Sequence, residues 1–237
     1  MSEAASSQPL SSTTLVMMLA DARLPVGGHV HSAGLEPALA AGMPSNRVHD
    51  YMVGRARTVS LVEAGTAVLA RYLLLRGSDT ERISQALSAV ESAWAARTPS
   101  QALREVSRSL GRGYLRLALR LWPEDPGLNA CAAAFSPLSR PVILGAIAAA
   151  TRLEAESLVR LVIYDDAQTV ASSLLKLDPV DPAYVAGWVL SACASVDHLV
   201  PLIATLDSPD AIPAMGTPQN EDWAEAHSLT TQRLFRA

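Results

Sequence analysis

Cysteine is nearly missing from this chain: only Cys131 and Cys193 occur, far apart, outside any C-x-x-C spacing and each among alanines and other small or apolar residues. This gives no disulfide framework and fits a reducing, cytoplasmic home in which a thiol packs as a small hydrophobe. Aromatics are only 5%, which removes the stacking platforms that single-stranded nucleic acid needs. Positive charge is also short. With 19 Lys+Arg against 23 Asp+Glu the net charge is −4, so nothing draws the chain as a whole to nucleic acid or to an anionic membrane. Strand-like alternation of β-branched residues is almost absent, and neither G-x-G-x-x-G nor G-x-x-x-x-G-K-[ST] occurs, so a phosphate-binding loop is disfavoured.

Long apolar runs are few. Met1-Ser2-Glu3 has no basic n-region and Leu15 to Ala20 is too short for a secretion signal, which predicts a protein that is not exported. Val185 to Leu206 is the longest such run. It contains Asp197, His198 and Pro201, each costly in lipid, and reads as a buried core helix in place of a membrane span.

What is present is helical punctuation in a chain that is 49% hydrophobic over 237 residues. A chain of this size buries about 70–75% of its unfolded surface and needs no staples. The pattern predicts an all-α, single-domain multi-helix bundle of about eight to ten helices, at roughly 12–22, 32–41, 46–76, 79–96, 99–121, 138–150, 154–176 and 182–205. Ser78-Asp79-Thr80-Glu81 has capping-box spacing, and Thr98-Pro99-Ser100-Gln101 adds a proline at the first helical position. Asn46, and Asp181 with Pro182, mark two further starts. Residues 1–11, rich in Ser, Ala and Gln, read as a disordered N-terminal segment, and 12–206 as the helical domain. Residues 207–237 read as a linker carrying Pro209, Pro213, Gly216 and Pro218, followed by a C-terminal partner-binding tail.

Leu24 to Glu36 reads Leu-Pro-Val-Gly-Gly-His-Val-His-Ser-Ala-Gly-Leu-Glu. Pro25 ends the first helix, Gly27 and Gly28 permit a tight turn, and Ser32 is placed to cap the next helix. An H-x-H pair in extended backbone points both imidazoles the same way, so His29 and His31 are candidates for transient metal contact. No third ligand is apparent. His49, His198, His227 and the cysteines show no ligand spacing to the pair, and two turn histidines with ordinary hydrogen bonds is the favoured reading.

The string Pro25-x-Gly27-Gly28-x-x-His31-Ser32-x-Gly34-Leu35-Glu36 resembles the N-terminal signature of urease accessory proteins of the F type, the UreF family. Arg104 to Gly113 resembles that family's mid-chain Arg…Ser…Gly helix, and Arg233-Leu234-Phe235-Arg236-Ala237 resembles its C-terminal ending. The family more often has an aromatic where His29 stands, so the chain resembles a divergent branch. The resemblance implies an all-α, dimerising, non-catalytic scaffold in the cytoplasm that binds the UreD/UreH-type accessory protein, recruits the UreG-type GTPase and delivers nickel to apo-urease. Nickel is handled by that complex, with no stable cofactor expected on this chain. The opening motif and the ending are its implied partner-binding residues: Pro25, Gly27, Gly28, His31, Ser32, Gly34, Glu36, Arg233, Leu234 and Phe235.

Residues 99–121 carry a second pattern. On a helical wheel Leu103, Val106, Leu110, Tyr114, Leu117 and Leu121 fall within about 60° of one another, as a core stripe does. Arg104, Arg108, Arg112, Arg116 and Arg120 recur every four residues on the other side, where like charges repel and only Glu105 compensates. Leu115 and Leu119 project into the arginine side, and Gly111 and Gly113 would let another helix approach, so Arg104, Arg108, Arg112, Leu115 and Leu119 are read as an interface toward an acidic surface, the alternative being a solvated basic face whose aliphatic stems cover nearby surface.

No catalytic constellation stands out. Asp165 and Asp166 diverge by about 100° on a helix and cannot share a substrate atom, and Ser32 beside His31 lacks an orienting acid. Two alternatives remain open at this point: a small metal-dependent hydrolase using His29 and His31, and a helical regulatory module unrelated to metal.

Overall fold

The computed structural model describes residues 11–77, 80–230 and 234–235, apart from the side chains of His29 and Thr80. The fold is all-α, with no strand among the described residues. Its helices are α1 (Ser12–Leu19), α2 (Leu35–Ala40), α3 (Val48–Arg57), α4 (Val59–Arg76), α5 (Thr80–Ala96), α6 (Gln101–Leu121), α7 (Pro126–Ala132), α8 (Arg140–Ala150), α9 (Ala155–Leu177), α10 (Pro182–Ala194), α11 (Val200–Ile203) and α12 (Pro218–Ser228).

α4 and α8 form the centre. Both are apolar nearly all round, the signature of a helix with neighbours on every side. From Ser60 to Ala70 only Glu63 is not fully buried, and from Arg140 to Ala149 every residue is. They pack on each other more extensively than any other pair, because α8 offers glycine and alanine at the crossing. A Cβ at Gly145 would collide with the carbonyl oxygen of Ala67 and with Ala70 and Arg71. α9 covers α4 from another side, and α3 and α10 close over α9.

Several predicted boundaries are corrected. The single helix expected over 46–76 breaks at Thr58 (φ −126°, ψ −91°), whose carbonyl accepts from Leu61 and Val62 and so starts α4. Asn46 caps nothing; a 3-10 turn over Ser45–Arg47 leads into α3. α6 begins two residues later than the Thr98 cap implied, with the Ser100 hydroxyl accepting from the Leu103 N–H at 3.1 Å. Asp181 and Pro182 start α10 as expected, the carboxylate accepting from Ala183. The capping box at Ser78-Asp79-Thr80-Glu81 lies largely outside the described residues, as does the N-terminal stretch but for Ser11. α7 was not anticipated, although Asp125-Pro126 is a legible start whose carboxylate accepts from Leu128. Burial of Cys131 in α7 pushes its thiol up to about 12.

The run at 185–206 is not a buried core helix. It splits into α10, a 3-10 turn at Asp197–Leu199 and α11, and α10 buries only Val185, Val189 and Ala192 while Tyr184 and Leu190 are exposed. Two stretches, Ser45–Arg76 and Pro182–Ile203, are long and apolar enough to cross a membrane by length and composition. The first holds the core helix α4, and the second is broken by the turn where Asp197 pairs with Arg160 at 3.1 Å.

Among the described residues beyond 206, several pack back on the bundle. Arg97 donates to the carbonyls of Pro209 (3.1 Å) and Ile212 (3.0 Å), and Ile212 is buried. α12 lies against α6 and α2. Glu225 accepts from the Ser100 hydroxyl at 2.6 Å and the Ala102 N–H at 2.9 Å, and Glu221 accepts from the Ser100 N–H at 2.6 Å, so carboxylates of α12 satisfy the open N-terminus of α6.

Two glycines separate packing from propensity. Alanine is favoured over glycine in a helix by about 1 kcal/mol. Gly54 on α3 has open space around it, so Gly54→Ala is expected to raise stability by about 0.5–1 kcal/mol. Gly145→Ala should instead lower it by about 2 kcal/mol, because the methyl meets backbone. Urea unfolding followed by circular dichroism measures both.

Candidate functional site

The opening motif folds as a compact turn. Gly27 (φ +89°) and Gly34 (φ +77°) adopt left-handed backbone that other residues resist, and a Cβ at Gly34 would strike the Tyr51 hydroxyl. Ala33 is also left-handed (φ +52°) and is held by its carbonyl, which accepts from Tyr51 at 2.8 Å. Val26 is buried, and its backbone lies against Gly113 of α6 so closely that no side chain fits at 113. Gly111 is likewise pressed on the backbone of Leu138 to Arg140. The close approach expected at these two glycines therefore takes place within the chain.

His29 falls in a 3-10 turn over Gly28–Val30 and only His31 is extended, so the extended H-x-H geometry does not form. His31 is buried, with its carbonyl accepting from the Ser173 hydroxyl at 3.3 Å. Ser32 is fully buried and accepts from the Glu36 N–H at 3.3 Å, but the helix it was expected to cap starts later, at Leu35, with Gly34 in the capping position. Among the described residues no three His, Cys, Asp or Glu side chains converge as a metal site.

Glu36, in the first turn of α2, reaches the far end of the chain. Its two carboxylate oxygens accept from the backbone N–H groups of Leu234 (2.7 Å) and Phe235 (2.8 Å). His227 Nε2 stands 3.3 Å from Glu36 and 3.4 Å from the Phe235 carbonyl. The Phe235 ring is buried under the Lys176 ammonium, 5.1 Å from the ring centroid, while Leu234 stays exposed. The two terminal motifs thus meet in one place. Arg233 lies outside the described residues, and Pro25 is exposed on the turn.

Beneath the motif is a cavity of ≈ 350 Å³ whose lining includes His31, Trp94, Tyr114, Leu103, Val106 and Leu110. Of the α6 side chains expected to be core, Leu103, Val106 and Leu110 front this cavity, Tyr114 is buried in the core at its edge and Leu117 is partly buried against the core, while the helix packs through Ala102, Ser107, Gly111, Gly113, Tyr114 and Ala118. Leu121 is exposed.

The cavity wall carries a buried ionic network that the sequence did not announce. Arg55 donates from two nitrogens to Asp166, which also accepts from the Ser60 hydroxyl at 3.0 Å. Arg140 reaches Glu63 and Asp165, each at 2.8 Å. Asp165 and Asp166 diverge as helix geometry requires, each to its own arginine. Burial would raise Asp166, but the Arg55 guanidinium outweighs it and holds this carboxyl below its ordinary value. Burial wins at Glu63 and Asp165, which are raised despite Arg140, and burial also raises the Tyr114 phenol. Charged residues set within apolar runs, Glu63 in α4 and Asp165-Asp166 in α9, were the available signal.

The α6 arginines divide. Arg104 donates to the carbonyls of Thr98 and Pro99, and Arg108 pairs with Glu91 at 2.9 Å beside the Trp94 ring. Arg112, Arg116 and Arg120 are exposed. Leu115 and Leu119 are partly buried against the core.

The profile of the UreF family matches residues 46–192, more than half of the sequence. The chain belongs to the UreF family. The urease accessory protein UreF of Mycobacterium sp. (strain JLS) is 37% identical over 194 residues, covering 79% of this chain and 84% of the relative. That of Mycolicibacterium vanbaalenii is 38% identical over 183 residues, covering 74% and 79%. That of Mycobacterium tuberculosis (strain H37Rv) is 33% identical over 195 residues, covering 79% and 84%. The profile match holds the ionic network but not the opening motif or the ending, so in this UreF family member the clasp at Glu36 lies outside the matched span.

Asp166→Asn should cost about 3 kcal/mol in urea unfolding, since it leaves the buried Arg55 without a charge partner. Asp166 is lowered in the folded chain, so its stabilisation is present above the ordinary carboxylate range and fades as pH falls through the folded value; the gap between variant and wild type narrows in acid. Hydrogen bonds to a charged group contribute about 1.5–3 kcal/mol each. Glu36→Ala is therefore expected to speed amide exchange at Leu234 and Phe235 by at least roughly tenfold, with the global melting temperature little changed.

Proposed function

We propose that this chain is a non-catalytic scaffold of urease maturation, joining the UreD/UreH-type accessory protein and the UreG-type GTPase in a cytoplasmic complex that delivers nickel to apo-urease. Membership of a family of urease accessory proteins supports the setting. The observation that carries the scaffold reading is the clasp at Glu36. The most chemically capable residue of the opening motif spends both oxygens on the chain's own C-terminal backbone. The acids of the cavity wall are likewise committed to Arg55 and Arg140. Groups tied in this way shape a surface; they are not poised to exchange protons with a substrate.

In this reading nickel is cargo of the complex and not a resident cofactor, and the His29/His31 pair is not proposed as its contact, because the extended geometry that suggested it does not form. A homodimer is the proposed working unit. The apolar outer side of α10, with Tyr184 and Leu190 exposed, supports self-association through a two-fold contact. Neither nucleic acid nor membrane is a proposed partner.

The test is co-expression of urease subunits and the other accessory proteins with and without this chain. Urease activation that requires the chain, together with its co-purification with the accessory proteins, is expected. Full activation without it and no co-purification would overturn the proposal.

A further inference from the structure

The α6 ridge is half consumed by the fold. Arg104 and Arg108 are bound internally, while Arg112, Arg116 and Arg120 have no ion-pair or hydrogen-bond partner among the described residues. These three repeat every four residues and span about 12 Å, two turns of helix. Glu105, the one acid on α6, is hydrogen-bonded to Gln101 at 2.8 Å, and Asp125 beyond the helix end is occupied by the Leu128 N–H. Three adjacent cations left uncompensated repel one another, and an external anion relieves that.

Beside the ridge the connection between α7 and α8 turns Phe135 fully into solvent. Phe135 and Arg112 rim the same recess of ≈ 210 Å³, floored by Leu115, Cys131, Leu138 and Ile143. An exposed aromatic ring and one arginine at the rim of an apolar recess, with two more arginines continuing along the helix, is the composition of a binding hot spot.

We propose that this groove docks an acidic segment of a partner protein, its carboxylates pairing with Arg112, Arg116 and Arg120 and an apolar side chain seating beside Phe135. A protein fits better than a nucleic acid, because the recess asks for an apolar side chain and a net charge of −4 repels a long polyanion. The proposal rests on the reading that the chain works within an assembly. It also revises which residues matter: Leu115 is part of the floor and packs on the core, so it is no free contact.

The test uses the tagged full-length chain to capture urease subunits and accessory proteins from co-expression. The triple variant Arg116→Glu/Arg120→Glu/Phe135→Ser is compared with wild type, with Arg116→Lys/Arg120→Lys, and with Arg82→Glu as an exposed charge reversal elsewhere. Circular dichroism confirms that each is folded. The triple variant is expected to lose at least tenfold of one captured partner. The lysine pair and Arg82→Glu keep it, and raising NaCl from about 0.1 to 0.5 M releases it from wild type. Undiminished capture by the triple variant overturns the proposal while leaving the assembly reading intact; capture of nothing by wild type overturns the assembly reading itself. A native mass by light scattering that falls from dimer to monomer in the triple variant would assign the groove to a second copy instead. Ridge-dependent retention of a labelled 20-nucleotide single strand would assign it to nucleic acid. Either result overturns the acidic protein segment.

Discussion

Two guanidinium groups buried at the meeting of four helices constrain everything else in this structure. Removing a charge from water costs several kcal/mol, recovered only when partners sit at hydrogen-bond distance with correct geometry. Arg55 can be satisfied only if α3 and α9 hold Asp166 opposite it, and Arg140 is neutralised only if α4 and α9 bring Glu63 and Asp165 within ion-pair distance, Asp165 alone accepting a hydrogen bond from its side chain. The register of four helices is thus set at once. Three carboxylates face two guanidiniums, and the two acids whose pKa rises are the two that share Arg140.

The same point organises the outer helices. The start of α8, which carries Arg140, is held by α5 and α6: Glu91 accepts from the Ser139 N–H at 2.8 Å and the Ser107 hydroxyl from the Arg140 N–H at 3.1 Å. Gly111 permits the contact because its missing side chain lets the α8 backbone reach α6. Two residues further, Gly113 does the same for the opening turn at Val26. The turn in turn presents Glu36 to the C-terminal ending. One line of close backbone contacts therefore links the ionic core to the clasp where both terminal motifs meet.

That chain of contacts explains why the motifs were easy to recognise and hard to interpret. Gly27 and Gly34 were legible, since left-handed backbone selects glycine locally. The role of Glu36 was not, because its partners are backbone amides some two hundred positions away. His29 and His31 looked like a pair under the assumption of extended backbone, and the 3-10 turn at Gly28–Val30 removes that assumption. The arginines of α6 share one spacing yet have two fates, since spacing states which side of a helix a residue occupies and not what lies across from it.

From the sequence alone came the all-α class, most helix positions, the Asp181-Pro182 start and the family resemblance, all properties of local chemistry or of short fixed strings. Tertiary structure alone decided the break at Thr58, the outward position of α10, the docking of α12 and the partners of each buried charge. Those depend on which surfaces meet after folding. Apolar periodicity and capping act over one or two turns of helix, whereas desolvation acts between any groups the fold brings together. Composition cannot show in advance which groups those will be.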